Sequence, residues 1–284
     1  MKQHLILTIL LTPLLSHAED WPHWRGQNRD DVTTESSGWP MQSWPGKSPS
    51  FTANVGVGCN SPLVVDGKVY ALGWRSNRDV VTCLDVKSGK PIWSQSYKAP
   101  LYARNSMGDK RIYAGPSSTP EYDTSTHYLY TLSLDGDLHC WNARKKGEKV
   151  WHINLYDLYK APMRPQVNRS GRRDYGYTSS PLVQGETLIV EVGSKKGNVM
   201  GFDKRTGKLL WTSKANDPAG HNGGPVPITV EGVPCVAVLN HNGLLVVRID
   251  KGREGETVAR YPWLTEWANN IAKAAVRGQT VSLT

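Results

Sequence analysis

The 284-residue chain is poor in cysteine, with four, and in phenylalanine, with two. Cys59, Cys83, Cys140 and Cys235 are widely spaced and form no CxxC pair. A dense disulfide framework is therefore excluded, and the cysteines read mainly as small buried apolar residues. Cys83 and Cys140 hold matching places in two successive units, which suits equivalent core positions. No apolar run after residue 18 approaches the roughly 20 residues of a membrane-spanning helix.

Catalytic signatures are equally scarce. There is no Gly-x-Ser-x-Gly elbow, so a serine hydrolase lacks its nucleophile turn. The eight histidines contain no HExxH pair, and His139-Cys140 is too small a set for zinc. Gly89-Lys90 and Gly207-Lys208 fail as phosphate loops. Leu84 and Phe202 stand where the first glycine belongs, and Pro91 and Leu209 stand where Ser or Thr belongs.

What the chain does have is 11 Trp, 12 Tyr, 27 Gly and a net charge of +9. The basic residues are scattered through candidate turns, among them Lys145, Lys195, Lys204 and Arg205. That is solvated turn charge rather than a nucleic-acid footprint, which would line one face. Residues 1–18 have a basic start at Lys2, an apolar run from Leu5 to Leu15 and the small-residue site Ser16-His17-Ala18. This pattern is a secretory signal and implies a periplasmic or secreted mature chain. No Cys follows Ala18, so a lipid-anchored signal is not expected.

Internal repetition decides the fold class. Three units open at Ser61-Pro62, Thr119-Pro120 and Ser180-Pro181 and close at Trp93, Trp151 and Trp211. Inside the first, Leu63–Val65 and Val69–Leu72 flank Asp66-Gly67, a two-residue hairpin signal, and further strands follow at Val80–Leu84 and from Ile92. Each unit predicts four short antiparallel strands, one blade of an all-β propeller. Since one blade cannot bury both faces, the three tryptophans are assigned a docking role between neighbouring blades. A fourth unit spans about 224–262 with Ala259 at the Trp position. A partial fifth spans 271–284, so the propeller is expected to be incomplete, with about four blades. The blades fall near 61–100, 119–157, 180–215 and 224–262, after an N-terminal segment at 19–60.

The turns Asp85-Val86-Lys87-Ser88-Gly89-Lys90-Pro91-Ile92-Trp93 and Asp203-Lys204-Arg205-Thr206-Gly207-Lys208-Leu209-Leu210-Trp211 resemble the tryptophan-docking repeat of the PQQ-like, quinoprotein-type propeller family. The opening Asp20-Trp21-Pro22-His23-Trp24-Arg25-Gly26-Gln27-Asn28-Arg29-Asp30 resembles the start of its secreted bacterial members. By that resemblance Phe51–Gly56 supplies an outer strand that completes the last blade, with Phe51 in place of the usual Trp. The family also implies two kinds of activity. One is a quinone-dependent alcohol dehydrogenase, with pyrroloquinoline quinone and calcium at the propeller centre. The other is a binding scaffold like that of outer-membrane barrel assembly.

The dehydrogenase's adjacent cysteine pair is missing, and Glu121 and Asp123 stand without a recognisable ligand set, so no cofactor, metal or catalytic residue is assigned. The expected function is non-catalytic binding of a protein or an anionic polymer, the alternatives being a quinone-dependent alcohol dehydrogenase and a C-terminally truncated remnant of a longer propeller. The candidate binding loop carries Arg164, Arg169, Arg172, Arg173, Tyr175 and Tyr177, whose guanidinium forks and aromatic faces suit anionic or polar partners.

Overall fold

The computed structural model describes residues 19–36, 46, 48–100, 115–161, 176–265 and 270–283. Four sheets of four antiparallel strands follow one another along the chain, and a two-stranded hairpin ends it. The first sheet is β1 (Leu63–Val65), β2 (Lys68–Arg75), β3 (Arg78–Asp85) and β4 (Pro91–Lys98). The second is β5 (Glu121–Asp123), β6 (Tyr128–Leu132), β7 (Asp137–Asn142) and β8 (Glu148–Asn154), followed by the single-turn helix α1 (Leu155–Tyr159). The third is β9 (Leu182–Gln184), β10 (Thr187–Ser194), β11 (Gly197–Asp203) and β12 (Leu209–Thr212). The fourth is β13 (Val226–Val230), β14 (Val233–Asn240), β15 (Gly243–Arg248) and β16 (Thr257–Pro262), and the hairpin is β17 (Ala275–Arg277) and β18 (Thr280–Ser282). The architecture is an incomplete β-propeller. Each sheet is a meander, as expected where consecutive strands are joined by tight turns.

The turns explain the strand boundaries. Asp66 and Gly67 both take positive φ (50° and 67°) between the paired Val65 and Lys68, the geometry of a primed hairpin turn. In the fourth sheet Asn240 pairs with Gly243, so the hairpin loop is His241-Asn242. An Asn-Gly pair such as Asn242-Gly243 commonly forms the two loop residues of a hairpin, but here the loop lies one residue earlier. The shift arises because the Asn240 side chain accepts from Asn242 N at 2.9 Å and Gly243 N at 3.1 Å, which ends the strand one residue early.

One device recurs in all four sheets. Trp93 pairs with Cys83, Trp151 with Cys140, Trp211 with Gly201 and Ala259 with Val246. In each case a bulge in the outer strand lies beside that pair. The extra residues are Ile92, Val150, Leu210 and Val258, and all four are exposed. A bulge puts two residues opposite one and re-aims the side chains around it, so the ring turns inward while its neighbour turns outward. Cys83 and Cys140, both 0% exposed, are the equivalent core residues that the repeat implied. Burial pushes the Cys83 thiol up to about 11, and all four cysteines are unpaired.

The first two tryptophans dock on the next sheet. Trp93 is packed over Gly147, where an added Cβ would fall 2.5 Å from Cζ3, and Trp151 lies over Gly207, where the corresponding distance to Cδ2 is 2.8 Å. Both glycines sit at φ +71° in the turn before the outer strand. Only glycine supplies both the left-handed backbone and the flat surface that an indole can cover. Asp203 Oδ1 fixes one such turn by accepting from Arg205 N (3.0 Å), Thr206 N (2.8 Å) and Thr206 Oγ1 (2.8 Å), and Asp85 makes the same set with Lys87 and Ser88. Trp151 Nε1 donates to Lys204 O at 3.1 Å, so the indole is held by its polar edge as well as its face.

Lys204 itself departs from the solvated-turn expectation. Its side chain is buried in the seam between the second and third sheets, with Nζ 3.1 Å from both Asp123 Oδ2 and Glu186 Oε1. The aliphatic stem is covered while the ammonium reaches two carboxylates, so burial leaves no unpaired charge. Phe51 rests on Gly89 of the first sheet, the equivalent docking glycine. Residues 51–56 form no strand, however, so the expected outer strand from the N-terminal segment is absent from this stretch.

Candidate functional site

The residues just before the first strand of each sheet converge on the inner side of the ring. Cys59, Ser117, Thr178, His221, Asn222 and Ile271 thereby line one pocket of about 300 Å3, together with Trp24 and Gly223. His221-Asn222, just before the fourth unit, fits either an ordinary loop or the channel mouth by sequence, and both residues line this pocket. Asn222 is 1% exposed and ties the pocket to the core: its Nδ2 donates to Glu191 Oε2 at 2.8 Å and to Leu239 O at 2.6 Å. Glu191, 0% exposed on β10, also accepts from Ser179 Oγ at 2.5 Å and Gly220 N at 2.9 Å. A buried carboxylate is tolerated only with this density of donors.

The N-terminal segment crosses the same region. Trp21 and Val64 exchange backbone hydrogen bonds of 2.6 and 3.1 Å, and Tyr122 N donates to Pro22 O at 3.1 Å. Trp24 covers Gly223, ahead of the fourth sheet, and Lys273 Nζ stands 4.6 Å from the Trp24 ring centre, a cation–π contact. Arg29 Nη2 pairs with Glu121 Oε1, His23 Nδ1 lies 3.1 Å from Glu121 Oε2, and Val183 N donates to Glu121 Oε1 at 2.9 Å. Residues 21–29 thus touch the first and second sheets, the residues leading into the fourth and the segment before the last hairpin, and reach the third sheet through Glu121, which accepts from Val183 N.

Electrostatics at this hub is tightly set. Burial by itself would raise the Glu121 carboxyl, but Arg29 and His23 override it and hold the group at about 2. Lys273 moves the other way: desolvation, with Arg29 and Arg25 nearby, brings its ammonium down to about 7 despite the attraction of Glu121. Sequence reasoning missed Glu121, Arg29, His23, Lys273 and Glu191 as a set. The only signal was the N-terminal stretch from Asp20 to Asp30, crowded with two Trp, a His and two Arg, whose contacts lie about 90 residues away.

The expected binding loop is not assembled here. Arg164, Arg169, Arg172, Arg173 and Tyr175 lie outside the described residues. Tyr177 is corrected: it is a core residue, 1% exposed, stacked on Tyr156 at 4.9 Å, and its hydroxyl donates to Val192 O at 2.7 Å. Its ring is large enough to fill the joint between α1 and the third sheet, and the buried hydroxyl is satisfied by backbone. Of the docking tryptophans, Trp93 (8% exposed) and Trp151 (9%) are buried, whereas Trp211 is half-buried and lies over Gly201 of its own sheet.

A quinone beside calcium needs an oxygen cage for the cation. Among the described residues no carboxylate lines the pocket, and Glu191 directs both its oxygens to protein donors. Among the described residues no group of three His, Cys, Asp or Glu is placed to hold a metal ion. The described residues of this pocket do not form such a cage.

The fold and the repeated indole-on-glycine contact define a propeller of the PQQ-like class. A family model described as outer membrane protein assembly factor BamB matches residues 77–281, and the chain belongs to that family. It is 28% identical over 201 residues to the dehydrogenase subunit of the quinone alcohol dehydrogenase of Gluconobacter oxydans (strain 621H), covering 69% of this chain and 24% of the relative. It is 29% identical over 167 residues to quinohemoprotein alcohol dehydrogenase ADH IIB of Pseudomonas putida, covering 56% and 21%. The chain therefore spans about a quarter of the length of these curated relatives. Among solved structures it is similar to BamB from Moraxella catarrhalis, with 19% identity, a TM-score of 0.47 and coverage of 82% of this chain and 57% of that one. No helix among the described residues is long and apolar enough to cross a membrane.

Proposed function

We propose that this chain is a binding scaffold that docks a protein partner rather than an alcohol-oxidising enzyme. The observation that carries this reading is the hub at residues 21–29. It ties the inner strands of the second and third sheets together through Glu121 and leaves on that side a pocket of about 300 Å3 with no carboxylate among its described lining residues. Membership of the family described as an outer membrane protein assembly factor supports the same reading. Site chemistry, not fold, separates a scaffold from a dehydrogenase on one architecture. Export to the periplasm or beyond is part of the proposal and rests on the basic, apolar and small-residue pattern of residues 1–18.

The opposing reading is a quinoprotein dehydrogenase, favoured by the 28% identity to the Gluconobacter oxydans subunit. Incubation of the purified chain with pyrroloquinoline quinone and calcium, followed by dye reduction with primary alcohols, separates the two. The scaffold reading expects no turnover, and robust alcohol-dependent reduction overturns it. Photo-crosslinking in living cells from positions on the loop faces is expected to yield a discrete protein adduct.

A further inference from the structure

The seam between the third and fourth sheets differs from the two before it. In the fourth sheet the stretch before the outer strand reads Gly252-Arg253-Glu254-Gly255-Glu256 and lacks the Asp-x-x-Ser/Thr-Gly turn on which an indole docks. Gly255 there lies against Thr212, not against Trp211. Trp211 instead covers Gly201, the position occupied by Cys83, Cys140 and Val246 in the other sheets. An aromatic ring commonly covers a cross-strand glycine, because nothing rises from the sheet to displace it.

The indole, packed at the edge of the core shared by the two sheets, also lines a cavity in the seam. That cavity, about 240 Å3, is bordered by Gln184, Thr187, Ile189, Trp211, Pro234 and Ile249. It adjoins a second of about 500 Å3, sharing Gln184, Pro234 and Ile249 and adding Thr229 and Gln279. Among the described residues no Asp, Glu, Lys, Arg or His lines either compartment, although the chain carries a net charge of +9. The Gln184 amide and the Thr187 hydroxyl make no side-chain hydrogen bond to the described residues, so their donors and acceptors are available.

We propose that this cleft binds an uncharged saccharide, with one pyranose ring lying against the Trp211 indole. The chemistry of the lining selects that class. An aromatic ring offers its negative face to the weakly positive C–H groups of a sugar. Amides and hydroxyls that both donate and accept match the sugar's hydroxyls. The lack of ionisable groups disfavours anions and cations, which would be desolvated there without a partner. A purely apolar ligand would leave Gln184 and Thr187 unpaired. The smaller compartment accommodates one hexose ring, and the larger continues the site for a second.

Calorimetric titration of the full chain with cellobiose, maltose and N,N′-diacetylchitobiose tests the proposal, with glucuronate and indole as contrasting probes. Saturable binding of at least one neutral disaccharide is expected. Trp211→Ala should weaken it about tenfold or more, Trp211→Tyr should retain most of it, and Gln184→Ala should weaken it severalfold. Thr187→Val removes a hydroxyl at constant volume and keeps the test decisive if Trp211→Ala melts. Three results overturn the proposal: no neutral disaccharide saturates the site, glucuronate or indole binds more tightly than all three, or neither Gln184→Ala nor Thr187→Val changes the affinity.

Discussion

The seam between the second and third sheets and the one after it are built from the same repeat but end differently. In the earlier seam Trp151 reaches across to Gly207, donates to Lys204 O, and stands beside the buried Lys204 cluster with Asp123 and Glu186. In the later one Trp211 covers a glycine of its own sheet, packs at the edge of the core shared with the fourth sheet, and borders a cavity. The strands and the bulge are alike in both, so strand pattern alone does not close a seam. Closure needs the receiving glycine turn on the following sheet. Where that turn is lost, the same residue type passes from packing element to cavity wall.

The largest test of this contrast is Trp151→Ala, expected to cost about 3–5 kcal/mol by leaving a cavity and removing one of the two hydrogen bonds that the Lys204 carbonyl accepts, as read by chemical denaturation. Trp211→Ala should cost less than half as much. Equal costs would break the comparison. Next, Glu121→Gln is expected to lose about 3 kcal/mol, because Arg29 and His23 then face no charge at a buried site.

The pH dependence sharpens that prediction. The Glu121 carboxyl is held at about 2 against an ordinary 4.5, so its stabilisation is fully present above pH 4.5 and is lost as the pH falls toward 2. Acid melts of the native chain should show this loss, and Glu121→Gln should show less of it. Asp203, lowered by the hydrogen bond from Thr206 in the docking turn, contributes in the same direction.

A smaller effect, about 1–3 kcal/mol, is expected for Gly207→Ala, which strains a positive φ and pushes a methyl group into Trp151, whereas Gly252→Ala, with open space around its Cα, pays only the backbone strain. The smallest concerns Lys273. Its folded value near 7 lies below the ordinary 10.5, so a charged Lys273 opposes folding below pH 7 and the penalty fades as the pH rises toward 10.5. Lys273→Met should raise the melting temperature at pH 6 more than at pH 9.

The period from Pro to Trp and the Asp-Gly turns made the four-stranded units readable before any coordinates, because period, turn chemistry and strand propensity are local. Cys83 and Cys140 were likewise legible as core by their matching places in the repeat. Tyr177 was not, since a Tyr between an Arg-rich stretch and a strand looks the same whether its ring points out or in. The axial hub was also hidden. Its members come from residues 21–29, 121, 183 and 273, and sequence spacing carries no information about which inner strand a distant arginine will meet.

By itself, then, the sequence determined the all-β class, the unit length and the repeated positions at which the tryptophans fall, through hydrophobic alternation and the residues that turns require. Only the tertiary structure decided which rings dock, which charges pair and where a cavity remains. Each of those outcomes depends on a side chain of one sheet meeting the backbone of another, and that meeting is a property of the packed arrangement of sheets.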